Sequence, residues 1–152
     1  TSYYARSRRD LIRLVMEQLS AESQADLTDI EVPGKLTVRQ ATDLVGRLAE
    51  RLILNGDAQA ARFALMFEVR DDDELRRELT VDAPVRRSFD EKAVELLRAL
   101  GVADPEEKAP EFVALVDAVL MYRAVDAAPI DPAGVVETYL DGLVRRKPTA
   151  AL

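Results

Sequence analysis

The chain has 152 residues, 48% of them hydrophobic, and carries 28 acidic against 21 basic side chains for a net charge of −7. That length supports one domain with a real core, and the acidic balance excludes nucleic-acid binding by the field of the chain as a whole. With no His and no Cys, thiol nucleophiles, Ser-His-Asp triads, the usual structural zinc sites and Glu-x-x-His di-iron sites are excluded, so no enzyme, metal or cofactor is expected.

The absence of Trp and the presence of only four Phe and four Tyr, in a background rich in Ala, Leu, Arg and Glu, predict an all-α fold, an antiparallel helical bundle. Ser7 and Asp10 form a capping-box-like start, and Leu11, Ile12, Val15, Met16 and Leu19 recur at helical spacing until polarity rises over residues 20–29. Thr37 is a good N-cap for a second helix whose stripe is Val38, Ala41, Leu44, Val45, Leu48 and Leu52, closed by "NGD" at residues 55–57. Residues 58–69, "AQAARFALMFEV", are apolar almost all round, which predicts a central helix enclosed by others.

"RDDDE" at residues 70–74 reads either as a cation site or, by the stronger argument, as a helix start with acids at its positive end. Pro84 must kink that helix or divide it in two. Val85, Phe89, Ala93, Leu96, Leu97 and Leu100 keep one face until Gly101 supplies a stop. "ADPEE" and "IDPAG" place Asp104 and Asp131 at caps, each followed by Pro at the first helical position. Pro110 is expected to delay the regular helix carrying Phe112, Leu115, Val116, Val119 and Leu120. The last helix carries Val135, Val136, Tyr139, Leu140 and Leu143 and ends in the basic "RRK". No stretch reaches the ~18 apolar residues of a membrane span, and nothing resembles a secretory leader, so the expected location is cytoplasmic, with no membrane contact.

The opening stretch "SYYARSRRDLIRLVMEQL" resembles the junction in TetR-family transcriptional regulators, where the recognition helix of a helix-turn-helix ends in an aromatic-rich "YYF-x-SK-x-x-L" segment. The resemblance lies on Tyr3, Tyr4, Ser7, Arg8 and Leu11, with Ala5 in place of the family's Phe and Arg8 in place of its Lys. It implies the C-terminal domain of that family. Residues 1–6 would be a remnant of the recognition helix and junction, 7–147 the effector-binding and dimerisation domain, and 148–152 a tail. A plain solvated face is the competing reading of Arg6, Arg8, Arg9 and Arg13.

The resemblance further implies a ligand-responsive regulator, a repressor in which small-molecule binding is coupled to DNA release. Ser2, Tyr3, Tyr4 and Arg8 would approach the DNA backbone, and operator DNA would otherwise be held only through a missing N-terminal domain. A homodimer would form through the last two helices, by Phe112, Leu115, Val116, Val119, Val136, Tyr139 and Leu143; the competing reading is that these faces fill the protomer's own core. From the all-apolar third helix, Phe63, Met66, Phe67, Phe89 and Met121 are candidate lining for a small hydrophobic effector, with Arg62 and Arg123 as polar anchors. Plain core is the alternative for each lining residue. A stand-alone helical ligand-binding or protein-interaction module is the alternative for the whole.

Overall fold

Side-chain caps begin most of the helices, and apolar stripes then decide which way each one faces. The structure, a computed structural model, describes residues 7–146. Among these residues there are seven α-helices and no strand: α1 (Arg8–Thr28), α2 (Val38–Leu54), α3 (Gly56–Glu68), α4 (Asp73–Leu79), α5 (Pro84–Ala99), α6 (Pro105–Ala124) and α7 (Pro132–Arg145). Within them, no helix is long and apolar enough to cross a membrane.

The Ser7 hydroxyl accepts from the Asp10 amide at the head of α1. Thr37 and Gln40 form a reciprocal capping box on α2. At the head of α7 the Asp131 carboxylate takes the amides of Ala133 and Gly134. Asp104 occupies the cap position of α6 but makes no side-chain capping bond, so Pro105 at the first turn carries that start alone.

Three expectations change. α1 does not stop where polarity rises; it continues to Thr28 because Ser23 and Leu27 keep turning inward after Ile12 and Met16. Pro84 divides the fourth expected helix, opening α5 at its first position, whereas Pro110 delays nothing and sits inside a continuous α6. α3 is not enclosed on all sides: only Gln59 and Phe63 are buried on it, and Phe67 is 69% exposed. Apolar composition all round a helix need not mean a neighbour on every side, since much of any folded surface is apolar.

α5 packs along α6, α2 along α7, α3 against α6 and α1 against α5. The main core joins Ala41 and Val45 of α2, Ala93 and Leu97 of α5, Ala109 and Phe112 of α6, and Val136 and Leu140 of α7. A second cluster gathers Leu27, Leu48, Leu52, Phe63 and Leu120, and a third ties Ile12 and Met16 of α1 to Val69 and Leu75. The Leu36 amide bonds the Ala99 carbonyl at 2.9 Å, pinning the α1–α2 loop to the end of α5.

At that same end Gly101 adopts φ +77°. The Val102 amide then reaches the Leu97 carbonyl at 3.0 Å, and the Gly101 amide reaches that of Arg98 at 3.0 Å. This paired closure of a helix end requires a left-handed residue.

Acids from α3 and α4 receive the basic start of α1. Arg8 pairs with Glu68, Arg9 with Asp72 and Glu74, and Arg13 with Glu78 in two-pronged contact at 2.7 and 2.9 Å. The acids of "RDDDE" are thus a helix start: Asp72 caps the Leu75 amide, and among the described residues no cluster of metal-ligating side chains forms. Hydrogen bonding to Arg13 holds the Glu78 carboxyl below its ordinary value and raises the Arg13 guanidinium.

Both the Gly101 closure and the Arg13–Glu78 pair should be visible in stability. Gly101→Ala forces a Cβ into the left-handed region and should lower unfolding free energy by about 1 to 2 kcal/mol in urea titration. Because the folded value of Glu78 lies below the unfolded one, its contribution is complete above the unfolded value and is lost as pH falls through the folded value. Amide-exchange protection of α4, corrected for intrinsic rates, should therefore drop in the acid range below the ordinary carboxylate value, and Glu78→Gln should remove that step.

Candidate functional site

Six of the seven helices leave a cavity of about 460 Å³ between them, within the size range of small-molecule sites. α1 supplies Met16, Ser20, Ser23 and Leu27, and the loop after it Ile30 and Val32. α2 adds Leu44, Val45, Leu48 and Leu52, and α3 adds Gln59, Arg62 and Met66. Leu79, at the end of α4, and the turn through Thr80, Val81 and Ala83 form another wall. α5 brings Val85, Arg86, Phe89, Asp90, Lys92, Ala93 and Leu96, and α6 brings Pro110, Phe112, Val113, Val116, Asp117 and Leu120. Val81 is 60% exposed as well as lining the space, which marks the α4–α5 turn as a place where the cavity meets solvent.

The polar part of this lining is mostly engaged. Arg62 donates from a terminal nitrogen to Asp117 Oδ1 at 2.9 Å, bracing α3 against α6. Its Nε donates to Gln59 Oε1 at 3.1 Å, and its guanidinium lies 4.2 Å from the centre of the Phe63 ring. Both partners of the pair are largely shielded from water, so the contact resists screening better than a surface pair. Arg86 Nε stands 3.3 Å from Asp90 Oδ1 along one turn of α5. The same Nε donates to Asp90 Oδ2 at 3.4 Å, while Oδ1 is shielded from solvent and has no aligned donor.

Of the residues expected from sequence to line a pocket, the structure brings Met66, Phe89 and Arg62 to the wall. Phe63 lies behind it, buried beneath Arg62. Met121 packs half-buried against the second cluster, and Phe67 faces outward. Arg123, expected as an anchor, instead donates to the Ile130 carbonyl at 3.1 Å and ties down the α6–α7 loop. Arg62 reaches the wall already committed to Asp117.

The expected interface residues divide in the same way. Phe112, Val119 and Val136 are buried within the protomer, at 4%, 6% and 2% exposure; Phe112 and Val116 line the cavity. Tyr139 stacks on Phe112 with ring centres 5.8 Å apart and donates to Glu111 at 3.4 Å. Burial, and then the Glu111 charge, raise its phenol above the ordinary value. Leu115 and Leu143 are half-buried, the latter packed against the main core. The surface α6 leaves outward is a different stripe: Ala114, Ala118, Tyr122 and Val125, the last two 44% and 58% exposed.

Sequence reasoning missed most of the α1, α2 and α5 walls. One signal pointed to them: Met16, Ser20, Ser23 and Leu27 fall at i, i+4, i+7 and i+11, a single helix face continuing through the polar stretch. Of the positions expected at DNA, Arg8 is exposed and paired with Glu68, while Ser2, Tyr3 and Tyr4 lie outside the described residues, as does Arg6.

The family described as Tetracyclin repressor-like, C-terminal domain, has a sequence model that matches residues 36–146, which spans α2 to α7 and every wall of the cavity except those of α1 and the loop after it. No curated protein matches, and no solved structure does.

Proposed function

The chain belongs to the family described as Tetracyclin repressor-like, C-terminal domain, and on that premise we propose that it is the effector-sensing and dimerising part of a TetR-type transcriptional regulator. In this reading it serves a repressor of the cytoplasm whose DNA is released when a small, largely hydrophobic molecule occupies the cavity. The observation that carries the reading is the apolar space of about 460 Å³ among the helices. A largely apolar recess of this size between helices, open to solvent at one edge, is the usual form of a small-molecule site.

The coupling runs through two helices. α6 lines the cavity with Phe112, Val113, Val116 and Leu120 and turns Ala114, Ala118, Tyr122 and Val125 outward. A second copy packing on that stripe and on α7 completes a four-helix seam. α1 lines the cavity through its middle and carries at its head Arg8, with Ser2, Tyr3 and Tyr4 just before it in sequence; these are the positions proposed to meet the DNA backbone. An effector that fits only one arrangement of α1 and α6 shifts the subunits away from the ~34 Å spacing of successive major grooves. A differential affinity of ~1 to 3 kcal/mol between the two arrangements is the usual scale of such coupling.

Screening apolar organic compounds by thermal shift tests the cavity, since a ligand at ~100 times its dissociation constant adds ~2.7 kcal/mol to stability. Val116→Phe fills the space from α6 and should weaken every hit by tenfold or more while leaving the melting temperature of the free protein level or higher; unchanged affinity would place the ligands elsewhere.

Light scattering should give twice the monomer mass at micromolar concentration. Ala118→Arg with Tyr122→Arg should yield folded monomer, because the new charges burden only a seam between copies. A variant that remains dimeric would move the interface off α6.

A further inference from the structure

Among the described residues, four hydroxyls within or at the ends of helices are spent on the backbone one turn back. Thr28 bonds the Gln24 carbonyl at 2.8 Å, Thr80 that of Arg76 at 2.6 Å, Ser88 that of Pro84 at 3.2 Å and Thr138 that of Gly134 at 2.9 Å. Ser20 and Ser23 lie in the middle of α1 on the cavity wall, and neither hydroxyl has a hydrogen-bond partner among the described residues. Ser23 is only 8% exposed. The buried side-chain oxygens without a partner are elsewhere, Thr42 Oγ1 and Asp90 Oδ1, so the Ser20 and Ser23 hydroxyls face open space, and serine has no helical propensity to recommend it there.

The other polar walls are engaged but for Asp90 Oδ1, which lies beside Arg86 without an aligned donor. Gln59 and Thr80 bond protein groups, and the charges cancel in pairs: Arg62 with Asp117, Arg86 with Asp90, and Lys92 with Glu95. An anionic ligand entering this space has to break one of those pairs or remain uncompensated, and a cationic one has to share Asp90 with Arg86; both are expensive away from water. A neutral ligand meets no such obstacle.

We propose that Ser20 and Ser23 receive the polar group of the effector, and that this group is an uncharged oxygen function, a hydroxyl or carbonyl, on an otherwise apolar molecule. The proposal rests on reading the cavity as the effector site. Three residues apart on a helix, the two side chains share one face, and each hydroxyl both donates and accepts, so together they grip one oxygen from two sides. The apolar remainder lies against residues such as Leu48, Leu96 and Val116.

Four probes with the same ten-carbon chain separate the possibilities in calorimetric titration of the full chain: n-decanol, n-decyl chloride, decanoate and n-decylamine. The parent protein should bind decanol about tenfold or more tighter than each of the others, the scale of one to two neutral hydrogen bonds. The double variant Ser20→Ala, Ser23→Ala, which favours the helix and so folds, should bring decanol within about twofold of decyl chloride while leaving decyl chloride itself unchanged. Tighter binding of decanoate or decylamine than of decanol overturns the inference and leaves the cavity as an effector site. An undiminished preference for decanol over the chloride in the double variant overturns it likewise. Failure of all four probes to bind removes the effector reading and this inference with it.

Discussion

The structure depends most on α6 being apolar on two opposite faces. One face, through Phe112, Val113, Val119 and Leu120, closes the protomer's own core against α2, α3 and α5. The other, through Ala114, Ala118, Tyr122 and Val125, remains on the surface. In the dimer proposed above such a helix lies between two interiors, and whatever displaces it from one side is felt on the other. The cavity lies on the inner side of this helix, so occupancy acts directly on the element proposed to join two copies. Packed helices switch between discrete arrangements more readily than they deform, which is how a small displacement becomes a subunit rotation.

Charge is organised around the same requirement. The chain has an excess of seven acidic groups, yet each cation of the cavity wall is paired with an acid, Arg62 with Asp117, Arg86 with Asp90 and Lys92 with Glu95 behind the wall, the first pair bracing α3 against α6. At the outer end of α1 the arginines are distributed over acids of α3 and α4. Those contacts are exposed, and individually worth little. Their consequence is geometric: they fix the head of α1 to α3 and α4, so that Arg8 to Arg13 and the cavity wall at Met16 and Ser20 belong to one anchored helix.

Helix starts were legible in the sequence wherever a cap or a proline announces itself, as at Ser7, Thr37, Pro105 and Asp131, and the close of α5 was legible in Gly101. These are local effects, decided by residues within one turn of each other. The cavity was less legible because its walls are a tertiary property. Phe63 and Phe67 differ by one turn of the same helix, and only the position of α6 relative to α3 decides that one is buried and the other exposed. Phe112 and Val136 were readable as apolar faces, but not as inward or outward ones, since two apolar sides on α6 give periodicity no direction. The long polar run of α1 read as a helix end because inward-facing serines count as polar in any sequence pattern. Beside the cavity, Ser20 and Ser23 are the continuation of the inner face.

The central claim is that a small molecule binds inside the bundle and not on its surface. Methyl-resolved NMR of the chain with a bound apolar ligand tests it most directly. Intermolecular Overhauser contacts should appear at Val45, Leu48, Leu96 and Val116, which face the cavity from α2, α5 and α6, and be absent at Leu54 and Val125, which are 89% and 58% exposed. Contacts confined to Leu54, Val125 or other exposed methyls, with the cavity methyls silent, would contradict the account.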